Sequence, residues 1–480
     1  MEVGQAIDSA VALVPGRTAL IVGSERLTYA ELDVWAQRCA VALHAQGVGP
    51  GDSVAVVDHG SPLAVAAIIG VARLGAAAAQ MNPDLKPAEM AALCGLVGAK
   101  VGLAGPGHGE KLGEALGGPV LADAELRAAD PEHPLPQTPI DEESTGLILF
   151  SSGSTGLPKP VFIMQRTVSD RLRYYGSPID PQADPSVDMM SVPLFHVGGT
   201  LGLLITLHSG RTMVILPRFD AGVWLRTVEE SRVGQTFVVP TMLRRILDHP
   251  EFGSRDISSL RALSYGAAPA LPELIRRAVT ALPGVALTNV FGQTETLGAY
   301  AALSPEDHRA GHKLESVGRP FPGVELRVVD VATHEDVGVG QVGEAVVRAA
   351  QNITSDWLPT GDLVLLDEDG YIHVKGRVKD TINRGGEKFG PIEIETAIRT
   401  LPGVFEVAVA GVPDEELGER VGALVVGDGS LTADDVKAHC RQHLARYKVP
   451  EIVVFVEELP YNRYGKIPRA SVVEVIRGHP

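Results

Sequence analysis

The sequence predicts an α/β fold: a large N-terminal region with parallel-type sheets, followed by a small α+β region. Three observations carry that expectation. Short apolar runs alternate with helical patterns through the first half, the strand–helix repetition that builds parallel sheets. From about residue 317 the texture changes, and residues 324–329 and 343–348 alternate apolar and polar as antiparallel strands do. A chain of 480 residues also exceeds what one hydrophobic core usually serves, so two or more domains are expected.

The elements follow in order. Thr28 and Glu31 form a capping box that opens an amphipathic helix with Leu32, Ala36, Cys39, Ala40 and Leu43 on one face. Residues 53–57 read as a strand and 62–75 as a helix, with the alanines 76–79 and Gln80 leading toward another turn. The apolar stretch from Leu63 to Met81 is interrupted by Arg73 and reads as a buried helix rather than a membrane span. Residues 105–145, rich in Gly, Pro, Ala and acids, read as a loose connection. Near the end, Pro391 starts a helix, 404–412 and 421–426 read as strands, and 433–446 reads as a helix. That makes a unit of about one hundred residues, an ordinary domain size.

Bulk properties exclude several classes. A net charge of −17 argues against nucleic-acid and anionic-membrane surfaces, though a local donor cluster can still hold an anionic cofactor. The three cysteines, Cys39, Cys94 and Cys440, are far apart, which disfavours metal clusters and a disulfide framework and fits a reducing compartment. The first residues lack a basic stretch followed by an apolar one. The expectation is a soluble, cytoplasmic protein with no nucleic-acid or membrane partner; its oligomeric state is left open.

The most informative segment is Ser151, Ser152, Gly153, Ser154, Thr155, Gly156, Leu157, Pro158 and Lys159, after the apolar run 147–150. Glycines let main-chain N–H groups approach a ligand, hydroxyls donate to phosphate oxygens, and lysine adds a point charge. The combination suits a polyphosphate. It is not a Walker loop, because a glycine would be needed at 158 and Pro158 stands there.

Further motifs follow in one order: Phe291, Gly292, Gln293, Thr294 and Glu295; Thr360, Gly361 and Asp362; Gly376 and Arg377; Gly385 and Gly386; residues 391–395; and residues 462–469 around Lys466. Together with the segment 151–159, this series resembles the adenylate-forming superfamily of acyl-CoA synthetases, peptide-synthetase adenylation domains and luciferases. The resemblance runs from Leu27 to Lys466. It implies an acyl-CoA synthetase-like fold, with an N-terminal domain 1–378 that binds ATP and acid. A small mobile C-terminal domain 379–480 would carry a catalytic lysine, with the site between the two. The implied activity is ATP-dependent activation of a small carboxylic acid through an acyl adenylate, AMP and pyrophosphate being released. The acceptor is coenzyme A or, alternatively, a carrier-protein phosphopantetheine, an amine or another small nucleophile.

The roles implied by the resemblance are as follows. Glu295 is the Mg²⁺ ligand, with Thr155 as a second, since magnesium takes one or two protein oxygens. Asp362 accepts from the ribose hydroxyls, and Arg377 binds the ribose beside it. Gly266, Ala267 and Ala268 lie against adenine, and Phe291 stacks on it where relatives usually carry tyrosine. Lys466 contacts the carboxylate and α-phosphate during adenylation. Lys379 is the hinge, and Gly385 with Gly386 lines a thiol tunnel. Read alone, Asp362 is also an ordinary turn residue, Arg377 a surface ion pair and the glycine pair a β-turn.

Candidate substrate-pocket residues are Phe195, His196, Val197, Gly198, Val239, Thr241, Tyr265, Gly266, Asn289, Thr296, Leu297 and Gly298. His196 either orients the carboxylate or caps the pocket as a neutral imidazole. The loop 382–391 is closer to free-standing acid:CoA ligases than to peptide-synthetase modules, and the chain has no attached carrier domain. Both features favour a stand-alone ligase acting on an aromatic or medium-sized acid. One departure stands out: residues 349–357 bridge in a short run a region where relatives carry a longer insertion beside the acyl site.

Overall fold

The computed structural model describes residues 3–136, 141–151, 157–461 and 467–479. The described chain divides into two compact units. The first runs to Leu314 and adds Pro320–Val324 and Arg348–Asp356; the second comprises Glu315–Arg319, Glu325–Val347 and everything from Trp357. The fold is α/β, with a large N-terminal part and a smaller C-terminal part, as expected.

The first unit is layered. One sheet has the strand order Val120–Leu121, Val101–Ala104, Ser53–Val57, Ala77–Met81, Thr145–Ser151, Lys159–Met164, parallel except for the last pair. In the other, Gly298–Leu303, Ala286–Gln293, Ala262–Gly266, Gln235–Val238, Val187–Met190, Thr212–Ile215 and Thr18–Val22 lie side by side. The five neighbouring pairs from Ala286–Gln293 to Thr18–Val22 are parallel. One hydrophobic core joins both sheets, with Leu20, Val54, Leu147 and Met213 packed together with the helices.

Helix Tyr29–Ala45 begins as its capping box requires. The Glu31 N–H donates to Thr28 Oγ1 at 3.2 Å, and the Thr28 N–H donates back to Glu31 Oε2 at 2.8 Å. The apolar stretch from Leu63 to Met81 is a helix, Pro62–Arg73, and then a strand, Ala77–Met81. Alanine favours strands poorly, yet all five strand residues are buried, so packing outweighs propensity there. No helix among the described residues is long and apolar enough to cross a membrane.

Residues 105–145 correct the expectation of a loose connection. They contain helix Gly109–Leu116, strand Val120–Leu121 and helix Asp123–Ala128. Each element buries a single leucine, Leu112, Leu121 or Leu126, too few for a periodic signal in the sequence.

In the second unit, Glu325–Val329, Val342–Arg348, Leu358–Leu366 and Ile372–Arg377 form a four-stranded sheet. Gly418–Gly427 then pairs antiparallel with Val404–Asp414 and parallel with Ile452–Phe455. Helices Pro391–Arg399, Ala433–His443 and Arg469–Gly478 complete this part. The position 378/379 falls in a 3-10 turn, Val378–Asp380, inside the second compact unit.

Candidate active site

Open parallel sheets bind ligands beyond the carboxyl ends of their strands, where the direction of chain connection reverses. In the larger sheet that reversal lies between Val187–Met190 and Gln235–Val238. The chain leaves the first of these toward Thr212–Ile215 on one side and arrives at the second on the other. Most of the substrate and adenine candidates sit at this edge. Phe195 and His196 follow strand Val187–Met190, and His196 is the N-cap of helix Val197–His208, which begins with Val197 and Gly198. Val239 caps helix Pro240–Asp248, which carries Thr241. Gly266 ends the next strand, with Ala267 and Ala268 just beyond it, and Phe291, Gly292 and Gln293 end the one after. The fold thus gathers on four adjacent strands residues spread over about a hundred positions of sequence.

The backbone is strained at this edge. Of the five non-glycine residues with positive φ among the described residues, Ala267 (64°) and Leu297 (41°) both lie here. Such conformations cost on the order of 1 kcal/mol each and persist where surrounding contacts over-determine them. Gly266 is required for packing: a Cβ there would stand 2.2 Å from the carbonyl oxygen of Val290 on the adjacent strand. The sequence left open whether this segment meets a base or a neighbouring strand, and the strand contact is present.

The turn after Gln293 is held on several sides. Thr296 is fully buried; its hydroxyl accepts from the Gln293 N–H at 3.0 Å and lies 2.7 Å from the Gly298 carbonyl. The carbonyl of Glu295 accepts from the Ile353 N–H at 3.1 Å, so the short run 349–357 closes directly on the candidate metal residue. Thr296 and Leu297 commit their side chains to the turn and the core, and the Leu297 N–H donates to the Thr294 carbonyl at 3.0 Å. The ring of Phe291 packs edge-on against Tyr300 at 5.3 Å.

Tyr265 is buried and its hydroxyl lies 2.8 Å from His308 Nε2, while His308 Nδ1 lies 2.6 Å from the Ser304 carbonyl. A carbonyl only accepts, so Nδ1 carries the proton and Nε2 accepts from Tyr265. Burial pushes the His308 imidazole below its usual value, against smaller opposing effects of the Ser304 carbonyl and Asp307. Asn289 is buried within its strand, paired with Tyr265 in register.

In the second unit, Asp362 and Arg377 face each other across an antiparallel pair. Asp362 is buried, and its strand is pinned by Thr360 Oγ1, which donates to the Ala345 carbonyl at 2.8 Å. Lys379 is exposed in its 3-10 turn. Gly385 (φ 59°) and Gly386 (φ 93°) form the two-residue connection between strands Ile382–Arg384 and Glu387–Phe389. Positive φ at both central residues marks a type I′ hairpin, for which a glycine pair is apt. Arg469 bonds the buried Glu395 of the 391–395 motif and donates to the Val409 carbonyl at 2.7 Å.

Ser151 ends its strand half-buried and Lys159 opens the paired strand, exposed. Ser152, Gly153, Ser154, Thr155, Gly156 and Lys466 lie outside the described residues. Magnesium needs one or two protein oxygens beside water and phosphate, so the Glu295 carboxylate fits as its donor. Among the described residues no group of three or more His, Cys, Asp or Glu could hold a metal.

Sequence reasoning passed over Arg171. It is buried on helix Gln165–Tyr175, and its guanidinium reaches the carbonyls of the turn after Glu295. A cation three residues after Val168 and adjacent to Leu172, both core positions, was the available signal.

Two family models match the chain. One, described as AMP-binding enzyme, matches residues 7–355; the other, AMP-binding enzyme C-terminal domain, matches residues 393–466. The chain is 34% identical over 478 residues to a feruloyl-CoA synthase of Amycolatopsis sp, covering 95% of this chain and 96% of that protein. It is 30% identical over 491 residues to a fatty acid–acyl-carrier-protein ligase of Streptomyces coeruleorubidus, covering 95% and 93%. The solved structure of the amide bond synthetase McbA from Marinactinospora thermotolerans matches with a TM-score of 0.87 at 27% identity, covering 98% and 99%.

Proposed function

The chain belongs to the AMP-binding enzyme family and is an AMP-forming acid–thiol ligase, and from that premise we propose its residue roles, its metal and its acceptor. A carboxylate is a poor electrophile. In the first half-reaction a carboxylate oxygen attacks the α-phosphorus of ATP, the bond to the β-phosphate oxygen breaks, and pyrophosphate leaves. In the second, a thiolate sulfur attacks the acyl carbon and AMP leaves with the electron pair of the broken C–O bond.

The first step demands in-line placement and donors for charge developing on phosphate oxygens. The segment 151–156 with Lys159 supplies N–H, hydroxyl and ammonium donors to the polyphosphate. Glu295, and Thr155 with it, holds Mg²⁺, which neutralises charge on the phosphate oxygens when bound. Gly266, Ala267, Ala268 and Phe291 receive adenine, and Asp362 with Arg377 receives the ribose. Lys466 serves adenylation, His196 stands near the carboxylate, Lys379 is the hinge, and Gly385 with Gly386 flanks the thiol. The domain boundary is accordingly placed at 378/379.

The acid has an apolar body. Phe195, Val197, Val239 and Tyr265 supply an apolar lining, and the pocket candidates include no carboxylate to pair with an ammonium group. The acceptor is coenzyme A, in keeping with the acid:CoA ligases among the relatives. One observation favours a second acceptor: the short run 349–357 lies against Glu295, and relatives of the chain include a carrier-protein ligase and an amide bond synthetase.

The observation that carries the reading is the convergence of the candidates on the carboxyl ends of four neighbouring strands, in a chain of this family. The test is pyrophosphate release over a panel of carboxylic acids, with and without coenzyme A, and product mass spectrometry. An apolar acid should release pyrophosphate and, with coenzyme A, yield its thioester. Absence of pyrophosphate across the panel overturns the reading; pyrophosphate without thioester overturns coenzyme A as acceptor.

A further inference from the structure

Arg171 is 3% exposed, on a helix that directly continues strand Lys159–Met164, the return strand of the phosphate segment. Its Nε donates to the Leu297 carbonyl at 3.2 Å, and one terminal nitrogen donates to the Ala299 carbonyl at 2.6 Å. The same nitrogen lies 3.5 Å from the Thr296 carbonyl. The other terminal nitrogen donates to the Tyr175 hydroxyl at 3.3 Å, and the guanidinium carbon sits 5.1 Å from the Tyr175 ring centroid. Among the described residues no ion pair joins Arg171 to a carboxylate.

A buried guanidinium without a carboxylate partner is costly, and structures rarely retain one for packing alone. This one is compensated by carbonyl dipoles from a single turn, the one that begins at Glu295. The turn contains Leu297 at φ 41° and Gly298 at φ 92°, a path that few local contacts would hold. Arg171 closes it from below, while Thr296 Oγ1 and the Ile353 N–H fix its two sides. The fork geometry matters, because Nε and a terminal nitrogen serve carbonyls two residues apart, which a single ammonium cannot do.

We propose that Arg171 is a positioning residue that sets the Glu295 carboxylate for magnesium by locking the Thr296–Ala299 main chain to the helix that follows the phosphate segment. The proposal rests on the reading of Glu295 as the magnesium ligand. Arg171 acts through the turn, to whose carbonyls its guanidinium is bonded. Sequence distance hid this link, since the two partners are separated by more than 120 residues.

The test uses purified protein and needs no knowledge of the acid. Melting temperatures are measured with ATP while Mg²⁺ is titrated, for the wild type, Arg171→Met, Arg171→Lys and Glu295→Ala. A ligand that binds the folded state raises the melting temperature, so the magnesium midpoint of the ATP-induced rise reports metal binding at the site. Arg171→Met should shift that midpoint upward on the order of tenfold, with the smaller rise seen in excess EDTA unchanged, since misplacing a group by a fraction of an ångström costs about that much. Arg171→Lys, which keeps the charge and loses the fork, should recover only part of the shift. A midpoint equal to the wild-type value in Arg171→Met overturns the proposal, whatever its melting temperature without ligand. If Arg171→Met fails to fold, Arg171→Lys decides: a wild-type midpoint overturns the proposal and a raised one supports it. If Glu295→Ala also keeps the wild-type midpoint, the metal reading of Glu295 fails as well, which separates the two failures.

Discussion

The Nε of Arg377 lies 2.9 Å from Oδ1 of Asp362, across two antiparallel strands in which these residues are direct register partners. The burial is unequal: the Asp362 side chain is 7% exposed and that of Arg377 is 43%. The resemblance implies a ribose role for both, and the structure shows the two paired with each other.

The inequality sets a prediction. Removing the cation costs more than removing the anion, because a carboxylate in a poorly solvated place loses its neighbour whereas an exposed guanidinium can hydrate. Arg377→Met should lower stability by about 1–2 kcal/mol, and Asp362→Asn by under ~1 kcal/mol. Both should raise the KM for ATP. Urea denaturation with ATP-dependent kinetics checks the pair, and equal stability losses count against the stated cause.

Lys466→Ala should cripple pyrophosphate release on the order of a hundredfold or more, as expected when a charge is removed from a developing phosphate anion. Thioester formation from a supplied acyl adenylate should stay near wild type. Single-turnover measurements of the two half-reactions separate the outcomes, and a parallel loss in both argues against distinct roles.

Gly386→Trp should do the reverse. A large side chain beside the thiol blocks thioester formation and spares adenylation. Because Gly386 has φ 93°, any side chain there adds strain, so Gly386→Asn is the control, asparagine tolerating positive φ better than most residues. Thioester yield that is the same in both variants would remove the tunnel from the reading.

Thr296→Val keeps shape and deletes the hydroxyl that accepts from the Gln293 N–H. Leaving that half-buried N–H unmatched should cost about 1 kcal/mol. Adenylation should fall with it, because the turn carrying Glu295 loosens. Thermal melting and pyrophosphate kinetics on one preparation check both effects.

His308 makes stability depend on pH. Burial depresses its folded value, while the unfolded imidazole titrates near 6.5. Between the two values the unfolded chain holds more protons, so stability rises with pH there. It falls as pH drops below about 6.5, until the depressed folded value is passed. His308→Gln should flatten this part of the melting-temperature profile between pH 7 and 5. Parallel profiles for wild type and variant would assign the acid sensitivity elsewhere.

The candidate site was read from the sequence because its residues stand in short motifs. The hydroxyl and glycine segment at 151–159, the 291–295 run and Thr360 to Asp362 each placed donors or carboxylates within a few residues of a strand end. Local rules also gave the Thr28 capping box, since its two hydrogen bonds join residues three apart. Leu112, Leu121 and Leu126 escaped notice because one buried leucine per element leaves no period to read.

Sequence alone determined the α/β class with its change of texture near residue 317, the chemical character of the phosphate and metal candidates, and the family resemblance. These depend on neighbouring residues and short-range patterns. Only the tertiary structure decided that Arg171 faces the Leu297 carbonyl, that Ile353 closes on Glu295 and that Tyr265 spends its hydroxyl on His308. Each of those bonds joins residues tens to more than a hundred positions apart. Their formation depends on which buried polar groups the packed sheets leave facing one another, and that is settled by burial and strand order rather than by any local pattern.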